Sequence, residues 1–144
     1  MPYDPRLVQP MREELTSIGV RELRDAAEVD SYMADKAGTT MVVVNSVCGC
    51  AAGMARPGVK LALQSDIKPD RTATVFAGQD LEATAQARTY FAQFPPSSPS
   101  IAIFKDGQCV HFVPRHMIEG RNAVDLANNL VAAFQKYCAP AGAK

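Results

Sequence analysis

Thr39-Thr40-Met41-Val42-Val43-Val44-Asn45 runs without a break into Ser46-Val47-Cys48-Gly49-Cys50. The first seven residues are β-branched or apolar at nearly every position, the pattern of a central strand covered on both faces. A strand with one wet face would alternate instead. Two thiols, one residue apart, then stand where the strand gives way to a helix. In open α/β sheets, ligands bind at the carboxyl ends of parallel strands. One stretch therefore carries both the architecture and the candidate chemistry.

Outward from it, toward the start, Leu7, Val8, Met11, Leu15 and Ile18 recur at helical spacing and Gly19 stops them. A second short helix is predicted over 25–37, with Val29 and Met33 inward and Gly38 behind it. On the other side, 51–64 predicts a helix kinked at Pro57, because its alanines and Val59, Leu61 and Leu63 outweigh Gly53, Pro57 and Gly58. Thr72–Phe76 predicts another strand, and Gly78-Gln79-Asp80 a turn ending in a helix N-cap. Ala83, Ala87, Tyr90, Phe91 and Phe94 share one helical face until Pro95-Pro96-Ser97-Ser98-Pro99 breaks it. Ser100–Phe104 and Gln108–Val113 flank Asp106-Gly107, a hairpin signal. Val124, Ala127, Leu130, Val131 and Phe134 stripe a last helix begun by Asn122. The order α, α, β, α, β, α, β, β, α predicts an α/β sandwich with a mixed sheet between helical layers.

Composition bounds the rest. The 144 residues, 47% hydrophobic and 21% charged, suit one domain over 1–144, with 1–5 and 139–144 expected as flexible ends. Fifteen basic residues balance fifteen acidic ones, so nucleic acid and anionic membrane surfaces are not expected partners. No apolar run approaches the roughly 20 residues of a membrane span. Met1-Pro2-Tyr3-Asp4-Pro5-Arg6 has no apolar core, so no secretory signal is expected. Four cysteines are too few for a secreted disulfide scaffold of this size, and the expected compartment is the cytoplasm. Thiols there stay reduced unless they are catalytic, redox-sensing or metal-bound.

Cys109 reads as a small packing residue in a strand. Cys48 and Cys50 do not, because packing gives no reason for two thiols beside Gly49. At a helix N-terminus the free N–H groups and partial positive charge favour a thiolate. Cys48, at the end of the loop, is the candidate nucleophile, and Cys50 the candidate resolving thiol. Gly49 is expected to let the turn bend without a Cβ clash. A Cys-x-Cys ring is smaller than a Cys-x-x-Cys ring, which predicts a strained, easily reduced disulfide.

The competing chemistry is a metal-binding module using Cys48 and Cys50, and it lacks a second close cysteine pair. Cys109, His111 and His116 are near in sequence, and strand alternation predicts Cys109 and His111 on one face. No resident metal or tightly bound cofactor is expected. Ser98-Pro99 precedes a strand whose start should lie near the two thiols; taken alone, such a bond is usually trans.

Val44-Asn45-Ser46-Val47-Cys48-Gly49-Cys50-Ala51-Ala52-Gly53, with Ala55-Arg56-Pro57, resembles the bacilliredoxin A/B family. Val75-Phe76-Ala77-Gly78-Gln79-Asp80, Pro96-Ser97-Ser98-Pro99-Ser100, and Arg115-His116 with Ile118-Glu119-Gly120 match as well, so the likeness spans about residues 6–138. The resemblance implies a thioredoxin-like fold preceded by N-terminal helices. It also implies thiol–disulfide exchange: removal of the low-molecular-weight thiol bacillithiol from S-bacillithiolated client proteins, with weak disulfide isomerase activity. Cys48 would take the bacillithiol moiety, and bacillithiol itself would serve as co-substrate. Pro99 would be cis, turning the Ser98 backbone toward Cys48, where it would hydrogen-bond an extended substrate; Gly49, Ser98 and Pro99 are thus the expected substrate-binding positions. Arg56, Arg115 and His116 are candidate partners for the malate carboxylates of bacillithiol, through the guanidinium fork in the two arginines.

Two positions depart from the family pattern: Cys109 replaces an aliphatic residue, and Arg121 stands where histidine is common. Cys138 matches the family and reads either as a buried helix-end thiol or as a further disulfide-forming one. A monomer or weak homodimer is expected. The alternatives are a general disulfide isomerase or reductase without bacillithiol preference, the metal-binding module, and a non-catalytic redox sensor.

Overall fold

The computed structural model describes residues 2–139. Helix α1, Pro5–Thr16, opens on the Asp4 carboxylate, which accepts from the Arg6 N–H at 2.9 Å, and proline fills the first position, where no N–H is needed. A two-residue strand β1, Arg21–Glu22, precedes α2, Ala26–Met33, whose cap Asp25 accepts from the Glu28 N–H at 2.8 Å. Strand β2, Thr39–Asn45, is buried at every position. A π-helical turn, Ala51–Ala55, leads into α3, Arg56–Ala62. Then come β3 (Arg71–Phe76), α4 (Leu81–Thr89), β4 (Ser100–Lys105), β5 (Gln108–Val113), a 3-10 turn (Arg115–Met117) and α5 (Ala123–Tyr137).

The strands form one mixed sheet in the order β1-β3-β2-β4-β5. β2 is its centre, parallel to β3 and antiparallel to β4. Alternate residues of β2 feed opposite cores, as a period of two requires. Met41 and Val43 pack with Leu15, Val59, Leu130 and Phe134, beneath α1, α3 and α5. Val42 and Val44 pack with Val29, Met33, Ala83 and Ala87, beneath α2 and α4. The result is the three-layer α/β architecture expected from the element order.

Local departures have identifiable causes. β1 is an edge pair too short to leave a periodic signal. The segment 51–64 is not one continuous α-helix: a π-helical turn gives way to α3, and Pro57 lies in the first turn of α3, where a missing N–H costs least. The helix predicted over 25–37 ends at Met33, and Gly38 instead makes a left-handed turn at φ +79°. Asp80 precedes α4, but its carboxylate caps no helix N–H; Arg12 grips it at 2.6 and 3.0 Å.

The Tyr3 N–H donates to Gln79 Oε1 at 2.7 Å, and Gln79 Nε2 donates to the Tyr3 carbonyl at 3.1 Å. Met1 and residues 140–144, within the expected flexible ends, lie outside the described residues. The expectation for Cys109 and His111 is also corrected. Ile103 pairs with His111 and Phe104 with Cys109, so Val110 is an extra residue that breaks the alternation. Cys109 packs toward α2 and α4, whereas His111 Nε2 meets Asn129 Oδ1 of α5 at 2.8 Å, on the other face.

Candidate active site

The floor of the site is built where β2 ends. Asn45 Oδ1 accepts from the Ser46 N–H at 2.9 Å and from Arg56 Nη1 at 2.9 Å. The same Arg56 Nη1 donates to the Ser46 carbonyl at 2.7 Å, and Arg56 Nε lies 3.1 Å from Glu14 Oε1 as an ion pair. Arg56 is only 2% exposed. Its expected role as a ligand for a solute carboxylate is therefore corrected: the guanidinium is buried and already committed to the loop beneath the thiols. A hydrophobic environment tolerates such a charge only when it is paired and hydrogen-bonded.

On that floor, Ser46 Oγ accepts from the Cys48 N–H at 3.2 Å, and the Cys48 carbonyl accepts from Ala51 and Ala52 N–H at 3.0 and 3.2 Å. The helix thus begins at the first thiol. Burial works against a Cys48 thiolate, but the Ala51 and Cys50 N–H groups, the Ser46 hydroxyl and the Cys50 thiol outweigh it and hold Cys48 below the ordinary thiol range. Cys50 moves the other way. Burial and the neighbouring Cys48 push it up, Arg115 pulls it down, and Glu119 adds to the rise. Both thiols are free and partly exposed. The two neighbours are thus shifted in opposite directions, Cys48 the more readily ionised of the pair.

Gly49 does not serve the steric role expected of it. A Cβ built there meets nothing within 4 Å, and its φ is not left-handed. The turn would accept a side chain; glycine leaves the space above the thiols open.

Val44 pairs with Ser100 across β2 and β4, so Ser98 and Pro99 lie alongside the end of β2 from which the thiol turn departs. The Ser98–Pro99 bond is cis. Arg115, from the 3-10 turn after β5, links the two segments. Its Nη1 donates to the Ser98 carbonyl at 3.3 Å, its Nη2 lies 4.0 Å from Cys50 Sγ, and its Nε donates to Glu119 Oε2 at 3.1 Å. Glu119 Oε2 is in turn 3.9 Å from Cys50 Sγ. His116 is exposed on the same turn. Beside it an open groove of about 560 Å³ is lined by Phe94, Pro96, Phe112, His116 and Met117 among others.

Sequence reasoning assigns neither Ser46 nor Glu119 a role at the thiols. Ser46 carries a local signal, a hydroxyl two residues ahead of the N–H that it accepts. Glu119 has one too, an Arg–Glu pair at i,i+4 spacing after the last strand.

The remaining thiols are elsewhere. Cys109 is pushed up by burial. Cys138, also pushed up by burial, has its thiol at Thr39, the first residue of β2. Six steps along β2 from Thr39 to Asn45, at about 3.3 Å each, separate that end of the strand from the Cys48 turn by roughly 20 Å. A resolving role for Cys138 within the same molecule is thereby excluded. Among the described residues, no group of three or more His, Cys, Asp or Glu side chains is placed to hold a metal ion. The Cys109–His111–His116 grouping is broken by the bulge in β5.

Comparison with known proteins bears on this geometry. The sequence pattern of a family described as disulphide isomerase matches residues 3–138. A bacilliredoxin of Geobacillus kaustophilus is 56% identical over 94% of both chains. A bacilliredoxin of Koribacter versatilis is 54% identical over 99% of both. Among solved structures, Fasciola hepatica thioredoxin superposes with a TM-score of 0.55 at 20% identity, covering 80% of this chain and 99% of that one. This last likeness concerns the fold, which is thioredoxin-like.

Proposed function

The chain belongs to the bacilliredoxin family, within the thioredoxin-like oxidoreductases, and from that footing we propose that it removes bacillithiol from S-bacillithiolated proteins, with Cys48 as nucleophile. The observation that carries this reading is the geometry of the turn: the Cys48 N–H rests on Ser46 Oγ at 3.2 Å, the Cys48 carbonyl accepts from the Ala51 and Ala52 N–H groups at 3.0 and 3.2 Å, and the cis Ser98–Pro99 bond lies alongside, with Cys48 shifted down and Cys50 up.

In the first step the Cys48 thiolate attacks the bacillithiol sulfur of a client mixed disulfide. A Cys48–bacillithiol disulfide forms, the S–S bond between bacillithiol and the client cysteine breaks, and the client leaves as a thiolate that takes a proton from water. The adduct is cleared in one of two ways. A second bacillithiol thiolate attacks it and releases bacillithiol disulfide, or Cys50 loses its proton and closes a Cys48–Cys50 disulfide. The Arg115 guanidinium supplies positive charge, and the exposed His116 a ring N–H, for the carboxylates of the small thiol. The apolar groove under Phe94 and Phe112 suits an extended client segment. Such chemistry belongs in a cytoplasm that keeps Cys48 reduced.

Incubating reduced protein with a bacillithiolated client should move the bacillithiol mass onto Cys48. Cys48→Ala protein that still strips the client would end this reading. The description of the matching family as disulphide isomerase favours a second one, general disulfide exchange without preference for bacillithiol. Comparing rates on bacillithiolated and scrambled-disulfide substrates separates the two.

A further inference from the structure

Arg115 and Glu119 form a pair whose members both reach Cys50. Arg115 Nη2 is 4.0 Å and Glu119 Oε2 3.9 Å from Cys50 Sγ, and the two side chains bind each other at 3.1 Å. The groups that act on Cys50 are thus Cys48 from its own turn, and Arg115 and Glu119 from the turn after β5. α5, packed on the same turn, brings apolar side chains such as Leu126 and Leu130 to the cluster that Cys50 touches.

We propose that Glu119 is a positioning residue that restrains Cys50: by claiming the Arg115 guanidinium and placing its own carboxylate at the sulfur, it delays closure of the Cys48–Cys50 disulfide. This rests on Cys48 as the thiol that carries the adduct. Once Cys48 is capped, its negative charge is gone and can no longer hold the proton on Cys50. What then opposes ionisation is burial, which capping leaves in place, together with the Glu119 carboxylate 3.9 Å from the sulfur, and what favours it is whatever part of the Arg115 charge Glu119 has not neutralised. A slow Cys50 leaves the adduct standing until an external thiol meets it. The Arg115–Glu119 pair therefore sets how much of the adduct is cleared by the small thiol and how much by the protein's own second cysteine.

The chemistry of the restrained step balances without a further reactant. Cys50 gives its proton to water, its thiolate attacks Cys48 Sγ, the adduct disulfide breaks, and the small thiol departs with a proton. No net oxidation occurs, because one disulfide replaces another.

The test uses an uncharged adduct, so that Arg115 has no ligand carboxylate to bind. Cys48 is capped with 2-hydroxyethyl disulfide at low pH, the pH is raised in steps, and release of 2-mercaptoethanol is timed. Glu119→Gln should shorten the adduct lifetime about two- to fivefold, the scale of a partly exposed ion pair, and shift the profile to lower pH. Arg115→Gln should lengthen the lifetime and shift the profile upward. An unchanged or longer lifetime in Glu119→Gln overturns the proposal, the longer one because Glu119 would then be accepting the Cys50 proton. Capping of Cys50→Ser protein is the control. No adduct on its Cys48 would sink the functional reading, and this proposal with it.

Discussion

The buried guanidinium of Arg56 donates to the carbonyl of Ser46, ten residues earlier in the chain, at 2.7 Å. Ser46 is the residue whose hydroxyl holds the Cys48 N–H. The first turn of a helix therefore steadies the loop that precedes it, and a buried cation sits under the reactive thiol without touching solvent.

Arg56→Ala should cost about 2–4 kcal/mol of stability, since Asn45 Oδ1 and the Ser46 carbonyl both lose a charged donor in a buried setting. Urea denaturation of the reduced protein measures this. A cost below about 0.5 kcal/mol, the range of an ordinary surface substitution, would mean that the floor is held by something else.

Ser46→Ala should raise the Cys48 pKa, because one of the bonds that favours its thiolate is lost. Iodoacetamide alkylation followed against pH reads it directly. The wild-type midpoint for Cys48 is expected below that of a free cysteine, about 8.5, and Cys50 should alkylate only at higher pH.

The same shifts make stability depend on pH in opposite senses. Between the folded and unfolded pKa of Cys48 the unfolded chain binds more protons, so stability rises with pH there and is lost as pH falls through the folded value. For Cys50 the folded chain binds more, and stability falls as pH rises above the unfolded value. Oxidation to the Cys48–Cys50 disulfide should abolish both slopes.

Tyr90 supplies a third slope. Its hydroxyl donates to Asp30 Oδ1 at 2.6 Å, and that bond, with burial, pushes its pKa up to about 12. Its contribution is complete below the unfolded value of about 10 and disappears as pH climbs toward the folded one. Tyr90→Phe should flatten the alkaline limb of the stability profile, which thermal melts across that range would reveal.

Gly58 in α3 and Gly49 in the thiol turn should respond oppositely to alanine. A Cβ at Gly58 would lie 2.8 Å from Leu126 Cδ2 and 3.1 Å from Leu126 Cβ, in the contact between α3 and α5. Gly58→Ala should destabilise by about 1–3 kcal/mol. Gly49→Ala meets open space and should be neutral or stabilising by up to about 1 kcal/mol. Equal melting temperatures for the two variants would contradict this packing.

The β-branched run 39–45 makes the central strand legible from the residues alone, because a strand covered on both faces has no polar position to spare. The hairpin at Asp106-Gly107 and the stripe of α5 are legible for similar reasons: each rests on periodicity or turn chemistry within a few residues. The two thiols at the end of that strand are also local, one motif at one junction. By itself, then, the sequence determined the order of the main helices and strands (all but the two-residue β1), the central strand and the position of Cys48 and Cys50 on the sheet. The tertiary structure decided which charges serve the thiols. Arg56, a candidate ligand in the sequence, is turned inward by α3 onto Asn45 and Ser46. Glu119 reaches Cys50 from 69 residues away because β4, β5 and the turn after them fold back beside the end of β2. Contacts of that separation leave no periodic trace: each residue's own neighbours are satisfied whether or not the distant partner arrives, and only closure of the sheet brings the partner in.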